Sequence, residues 1–310
     1  MQSRKERGFF AAVLTALFVL ACGSSQSPPK AAEPSGTFVF APRAGLVFRH
    51  QMKQLEEFAV TGSSFRESEE WRVLWEVRVD EEADRFLYRR RLVELAITVN
   101  GKALLTGSEV EPRRAEIVQV MSRDGRVLDV LGTDQLTAAI VSVAPETERA
   151  WMAEEFSPEN LRELLLARAV DAFEEVVGKP SEVGASWTAR HNFGALTAKT
   201  IFVNSALGCG GRSCRKLVRT FDVDQQLVAD VARARVAGFV KAQGGDPAAV
   251  RVVDSKLTVE DFFVVEPDTC HFHDAALTGQ GRFVLEGPEG GRIELALTSK
   301  HESHAEYPLP

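Results

Sequence analysis

The sequence predicts an α+β fold: a large curved, half-barrel-like antiparallel β-sheet with two amphipathic helices packed on one face. Three observations carry that expectation. Apolar residues alternate with polar ones at period two over most of the chain, as half-buried strands require. Turn dipeptides that tolerate positive φ separate these runs. Two segments switch to helical spacing and carry start and stop signals.

The strands read most clearly at Trp71-Arg72-Val73-Leu74-Trp75-Glu76-Val77-Arg78-Val79, where every odd position is large and apolar. Such a strand has one core face and one wet face. A stretch over 86–99 ends at Asn100-Gly101 and resumes at 102–105; Asn-Gly between apolar runs is a strong hairpin signal. A second hairpin runs over 116–121 and 127–131 around Asp124-Gly125. Further strands are expected at 195–206, 215–222, 251–265, 270–278, 281–286 and 291–299.

The first helix has Ser157 as N-cap, Pro158 at its first position and Glu159 in its first turn. Leu161, Leu164, Leu165, Ala169, Ala172, Phe173, Val176 and Val177 form its apolar stripe, and Gly178 and Pro180 stop it. The second begins after Asp224, carries Leu227, Val228, Val231, Ala232, Val236, Phe239 and Val240, and ends at Gly244-Gly245. Residues 133–155 are a weaker helical candidate. Each apolar stripe has to be buried on the sheet.

The 310 residues hold 37 Lys+Arg and 44 Asp+Glu, a net charge of −7, with 45% hydrophobic residues. These proportions disfavour wholesale disorder and a multi-span membrane protein. The acidity argues against nucleic acid as a partner; Arg89-Arg90-Arg91 reads as part of a solvated strand. Four cysteines, Cys22, Cys209, Cys214 and Cys270, are too few for a disulfide scaffold.

The N-terminus reads as an address. Arg4, Lys5 and Arg7 precede an uncharged, apolar run of 13 residues over 9–21, which ends at Cys22. That length suits a secretory signal and falls short of the ~20 residues a spanning helix needs. Val19-Leu20-Ala21-Cys22 resembles the lipobox of bacterial lipoproteins. The resemblance implies cleavage before Cys22 and acylation of its thiol and amino group, with several chains giving a stable anchor where one does not. Gly23, rather than Asp, follows the cysteine, which favours the outer membrane over the inner. Residues 23–36 contain nine Gly, Ser or Pro in 14 and read as a flexible tether. The expected organisation is a signal peptide over 1–21, an anchor and tether over 22–36, and one sheet-based domain over 37–310. Loss of residues 1–21, with three Lys/Arg and one Asp/Glu, takes the net charge from −7 to −9. An acidic domain gains no attraction from an anionic membrane, so the acyl chains must hold it. Element order and compartment make the remainder similar to half-barrel envelope lipoproteins and lipoprotein carriers.

Two clusters carry ligand chemistry. Cys209 and Cys214 enclose Gly-Gly-Arg-Ser at a hairpin tip, where a loop of four residues places them opposite each other at disulfide distance; a metal pair, or a pairing with Cys270, is the alternative. In Cys270-His271-Phe272-His273-Asp274, strand alternation puts His271 and His273 on one face, where both imidazoles meet one Zn²⁺. A third ligand has to come from elsewhere, from His191, His301 or His304. The competing reading makes the two histidines half-exposed and Cys270 a core residue. His301-Glu302-Ser303-His304 is one residue short of the zinc-helix motif and reads as a solvated tail. No nucleophile elbow or phosphate-binding glycine loop occurs, and no cofactor is indicated. The sequence therefore points to a non-enzymatic envelope protein, anchored through Cys22 on the periplasmic side. Its expected role is structural or interactive, with an apolar ligand or an envelope protein as partner. The alternative is a metal-binding protein or hydrolase using His271 and His273.

Overall fold

The computed structural model describes residues 36–62, 64, 66–105, 115–146, 149–169, 173–193, 196–230, 233, 251–287 and 290–308. The signal segment, Cys22 and the tether up to residue 35 lie outside the described residues, as does most of the second predicted helix.

Among the described residues, twelve strands form one antiparallel sheet. They are β1 (Val47–Val60), β2 (Arg66–Glu81), β3 (Arg85–Val99), β4 (Lys102–Leu105), β5 (Glu116–Ser122) and β6 (Val127–Leu131). After the helices come β7 (Ser186–Phe193), β8 (Leu196–Cys209), β9 (Arg212–Val223), β10 (Arg251–Val265), β11 (Phe272–Glu286) and β12 (Arg292–Glu306). The spatial order is β6-β5-β3-β2-β1-β12-β11-β10-β9-β8-β7, with β4 added to β3. The path is open, and its middle seam pairs the first strand with the last. Both predicted hairpin turns form, with Asn100 at φ 50°, Gly101 at 72° and Gly125 at 83°.

Curvature follows from the core. One apolar cluster takes Trp75, Val77 and Val79 from β2, Phe86 and Tyr88 from β3, and Ile117 from β5. The same cluster takes Ile201 and Val203 from β8, Leu217 from β9 and Phe263 from β10. Side chains from both wings meet only if the sheet curls around them. Phe38, Phe40, Phe173 and Trp187 lie between the wings: Phe40 packs edge-on against Phe86 at 5.7 Å and Phe173 at 5.6 Å, and Phe38 against Trp187 at 6.3 Å. Helices α1 (Thr133–Val143), α2 (Arg149–Glu155) and α3 (Pro158–Ala169) add Leu136, Ile140, Met152 and Leu161 to this core. A second, smaller cluster joins Leu257, Phe283, Leu285, Leu295 and Leu297 under Val228. The Asp224 carboxylate accepts from the Leu227 N–H (2.9 Å), so the second helix starts where its cap predicts.

The structure corrects several expectations. Residues 133–155 form two helices rather than a weak candidate. Their start carries no side-chain cap: Gly132 stands there at φ 82°, because a Cβ would collide with the Glu116 carbonyl. Of the helix expected over 157–177, Pro158–Ala169 forms α3, with Ser157 meeting the Asn160 N–H (3.3 Å) at its start; residues 170–172 lie outside the described residues. Strands 270–278 and 281–286 are one strand, β11. Gly281 is no break; its missing Cβ makes room for the Phe283 ring, which a Cβ would meet at 3.0 Å. β12 continues to Glu306, so His301–His304 is paired strand and not a solvated tail. β1 and β7 went unrecognised. No helix among the described residues is long and apolar enough to cross a membrane.

Candidate functional site

The β8–β9 tip, the β10–β11 turn and the end of β12 meet at one rim of the sheet. Gly210 and Gly211, both at positive φ (55° and 85°), make the β8–β9 turn with two residues instead of four. Cys209 therefore pairs with Arg212, and Cys214 with Leu207. The cysteines are diagonal rather than opposite. Their Cα atoms are 6.0 Å apart and a disulfide joins them, inside the usual span for such a bond. Leu207, Phe262 and Val264 pack around it.

The β10–β11 turn closes on itself. The Glu266 N–H donates to the His271 carbonyl (2.9 Å), and the Cys270 N–H to the Glu266 carbonyl (2.9 Å). Cys270 sits at φ 54°, a conformation that costs a residue with a Cβ some strain. A β-bulge at Val264/Val265 then shifts the register of β11. Simple alternation consequently fails across His271 and His273. They are brought together by a residue the sequence reading missed, the Glu266 carboxylate.

Glu266 is buried, and so are both histidines, which corrects the half-exposed reading. Its Oε1 accepts from Arg212 Nη1 (2.8 Å) and lies 2.9 Å from His273 Nε2. Its Oε2 accepts from the Thr269 hydroxyl (2.8 Å) and lies 3.8 Å from His271 Nδ1. Burial alone would raise its pKa. The bonds from His273, Arg212 and Thr269, with the charge of His271, outweigh that and hold it at about 2. Burial pushes His271 the other way, down to about 4, against the pull of Glu266. His271 stacks on Tyr307 at 5.3 Å, and neither of its ring nitrogens has a hydrogen-bond partner among the described residues. Tyr307 donates its hydroxyl to the Phe272 carbonyl (2.7 Å), and Arg212 lies over its ring at 5.9 Å. The Cys270 thiol is buried and pushed up to about 12.

The suggested third ligands do not join this group. His304 is opposite Asp274 and bonds it at 2.6 Å, which puts it on the other face from Ala275. His301 is opposite Leu277, four residues along from His273 and so about 13 Å away. The side chain of His191 lies outside the described residues. Arg90 is also re-read. Arg89 and Arg91 point outward to carboxylates, whereas the Arg90 guanidinium donates to the Gln119 side-chain amide oxygen inside the curve (3.1 Å). The Tyr88 hydroxyl is buried without a hydrogen-bond partner among the described residues.

A surface depression of about 460 Å³ lies elsewhere, lined by Val253, Asp254, Arg282, Val284, Arg292 and Glu294. Arg282 there pairs with Asp254 and Glu294, and Arg292 with Glu286 beside it, so it is no apolar cavity.

No family model matches the chain, and no curated protein matches it significantly. Among solved structures it is similar to lipovitellin, with a TM-score of 0.45 and 11% identity over 85% of this chain and 25% of that one. The chain thus spans about a quarter of the lipovitellin chain. It is also similar to DynF of the dynemicin biosynthesis pathway of Micromonospora chersina, with a TM-score of 0.18, 11% identity and 96% of each chain covered. A Bacteroides fragilis exported protein with a YmcC-like fold gives a TM-score of 0.17 and 8% identity over 85% of this chain and 98% of that one. Scores this low carry nothing about function.

Proposed function

We propose that the chain is a lipid-anchored envelope protein that acts by structural interaction rather than by catalysis. Acylated Cys22 holds it to the membrane, the outer in preference to the inner, and the sheet stands beyond a flexible tether. The observation that carries the interactive role is the filled concave face. Among the described residues, Phe38, Phe40, Phe86, Phe173, Tyr88 and helices α1–α3 occupy it, which favours a partner docked outside over an apolar ligand held within. The rim chemistry supports the non-enzymatic part. Acid–base catalysis works best with a group poised near the operating pH, and Glu266, His271 and Cys270 are displaced to about 2, 4 and 12.

Cell fractionation with intact-mass analysis tests the anchor. The wild-type chain is expected in the membrane fraction, shortened by residues 1–21 and heavier by its acyl chains. Cys22→Ser is expected to remain unacylated. A Cys22→Ser chain that stays membrane-bound with the same mass shift as wild type overturns the reading.

A further inference from the structure

We propose that the rim has two exclusive states: the Cys209–Cys214 disulfide, and, once that bond is reduced, a zinc-type site in which Cys209, Cys214 and His273 are the protein ligands and water takes the fourth position. The two sulfurs and a ring nitrogen of His273 all lie within 4.8 Å of one another. Around tetrahedral Zn²⁺, with bonds of about 2.3 Å to sulfur and 2.0–2.1 Å to nitrogen, such atoms stand about 3.6–3.8 Å apart. Each nitrogen–sulfur pair of the oxidised rim is therefore within about 1 Å of a chelating arrangement, and the two sulfurs need to part by about 1.7 Å once their bond is reduced, on two hairpin ends that the sheet already holds in place.

Two independent features point to a cation. Glu266 lies 2.9 Å from His273 Nε2, which fixes that nitrogen as the donor and leaves the Nδ1 lone pair for a metal. Carboxylates behind metal-binding imidazoles commonly play this part. Next to it, His271 is only 3% exposed; its ring nitrogens have no hydrogen-bond partner among the described residues, and its Nδ1 faces Glu266 Oε2 at 3.8 Å. A buried donor left unpaired is costly, and a water on the metal's fourth position supplies a partner. The charges also balance. Two thiolates cancel Zn²⁺, while Glu266 keeps its own counter-ion in Arg212. His301 and His304 are not needed.

The chemistry closes with a dithiol as reductant. Its two thiols pass two electrons and two protons to the Cys209–Cys214 bond. The product is two cysteine thiols, and the dithiol becomes its own disulfide. Zn²⁺ then displaces the two thiol protons. Cys209 is at the edge of the cluster beside the exposed Gly210 and Gly211, so attack begins at its sulfur.

The test uses the full chain in detergent, Co²⁺ as spectroscopic probe and a phosphine reductant that does not bind metal. The reduced chain is expected to take up one Co²⁺ with a sulfur-to-metal charge-transfer band and tetrahedral d–d bands, and the oxidised chain none. His273→Ala is expected to weaken binding by at least about 100-fold, more than loss of an outer partner costs, and Cys209→Ser to remove one thiolate's share of the band. His271→Ala is expected to weaken binding less than His273→Ala does. A reduced wild-type chain with no charge-transfer band at stoichiometric Co²⁺ overturns the proposal, whatever the variants do. So does equal binding by oxidised and reduced chains.

Discussion

Arg212 and Arg89 each hold carboxylates at hydrogen-bond distance. Arg212 meets Glu266 at 2.8 Å, and Arg89 meets Asp80 at 2.7 Å and Glu116 at 2.9 Å. The geometry is the same, but the surroundings differ. The Glu266 side chain is 5% exposed and that of Arg212 13%, whereas those of Arg89 and Glu116 are 36% and 44% exposed. Water screens the outer set and pays most of its solvation. At the rim the protein must supply every partner itself, and there Glu266 takes four groups. The comparison teaches that distance does not rank these pairs; the cost of leaving a partner behind does.

The largest expected effect comes from removing the shared acceptor. Glu266→Ala leaves Arg212, Thr269 and His273 facing a buried gap, and should cost about 3–5 kcal/mol of stability. Denaturant unfolding of the disulfide-bonded chain measures it. A loss below about 1 kcal/mol would place Glu266 with the outer pairs and dissolve the contrast.

Next comes acid. His271 sits at about 4 when folded, against 6.5 for a free imidazole, so the unfolded chain takes up its proton first. Stability is therefore lost as pH falls from 6.5 towards 4. Glu266, at about 2 against 4.5, contributes fully above pH 4.5 and loses its contribution as pH falls towards 2. Each window is worth at most about 3 kcal/mol, and the two are coupled. Melting temperature against pH should fall in both windows for the oxidised chain. His271→Phe, which keeps a ring against Tyr307, should flatten the upper one. A wild-type chain whose melting point holds steady from pH 6.5 to 5 would refute the burial argument for His271.

A smaller effect is expected from the staple beside this cluster. Cys209→Ser with Cys214→Ser opens a short loop, and chain entropy puts the loss at about 2 kcal/mol. Calorimetry of the double variant against wild type, both without metal, checks it. A loss matching that of Glu266→Ala would mean that the disulfide, and not the carboxylate, organises the rim.

What the sequence revealed divides along similar lines. The β2 strand was legible because its inward positions, Trp71 to Val79, are apolar throughout. β1 was not, although it lies at the middle seam, because its inward face carries His50, Gln54 and Glu56. Those groups find hydrogen-bond partners once the strand is built: His50 the Ser303 hydroxyl of the neighbouring strand (2.6 Å), Gln54 and Glu56 each other along β1 (2.7 Å). A period-two apolar signal misses inward polar residues whether their partner is two positions away, as for Gln54, or 253, as for His50. At the site, the cysteine pair and the two histidines were legible from residue type and spacing. Glu266 was not, being one carboxylate among many. Its only local mark is that it opens the Pro267-Asp268-Thr269 turn, and its role arises from a bulge and a hairpin tip that the fold brings to it.

The smallest expected effect is on the outer face, and it bears most directly on the comparison. Arg89 bonds Asp80 and Glu116, and both hold its guanidinium firmly charged. If short distances set strength, Arg89→Ala should cost as much as breaking the rim. If solvent decides, it should cost about 0.5–1 kcal/mol, in line with exposed pairs generally. The salt response separates the two cases further. Exposed charges are screened beyond about 8 Å at physiological ionic strength and beyond about 3 Å at 1 M. The Arg89→Ala difference should therefore shrink towards zero in high salt, while the Glu266→Ala difference persists, since water and ions do not reach the buried groups. Paired urea titrations of the two variants at low and high salt would show this. An Arg89→Ala deficit that survives 1 M salt would mean that the outer network is shielded by something docked over it, and the outer face of β2, β3 and β5 would then be the place to look for a partner.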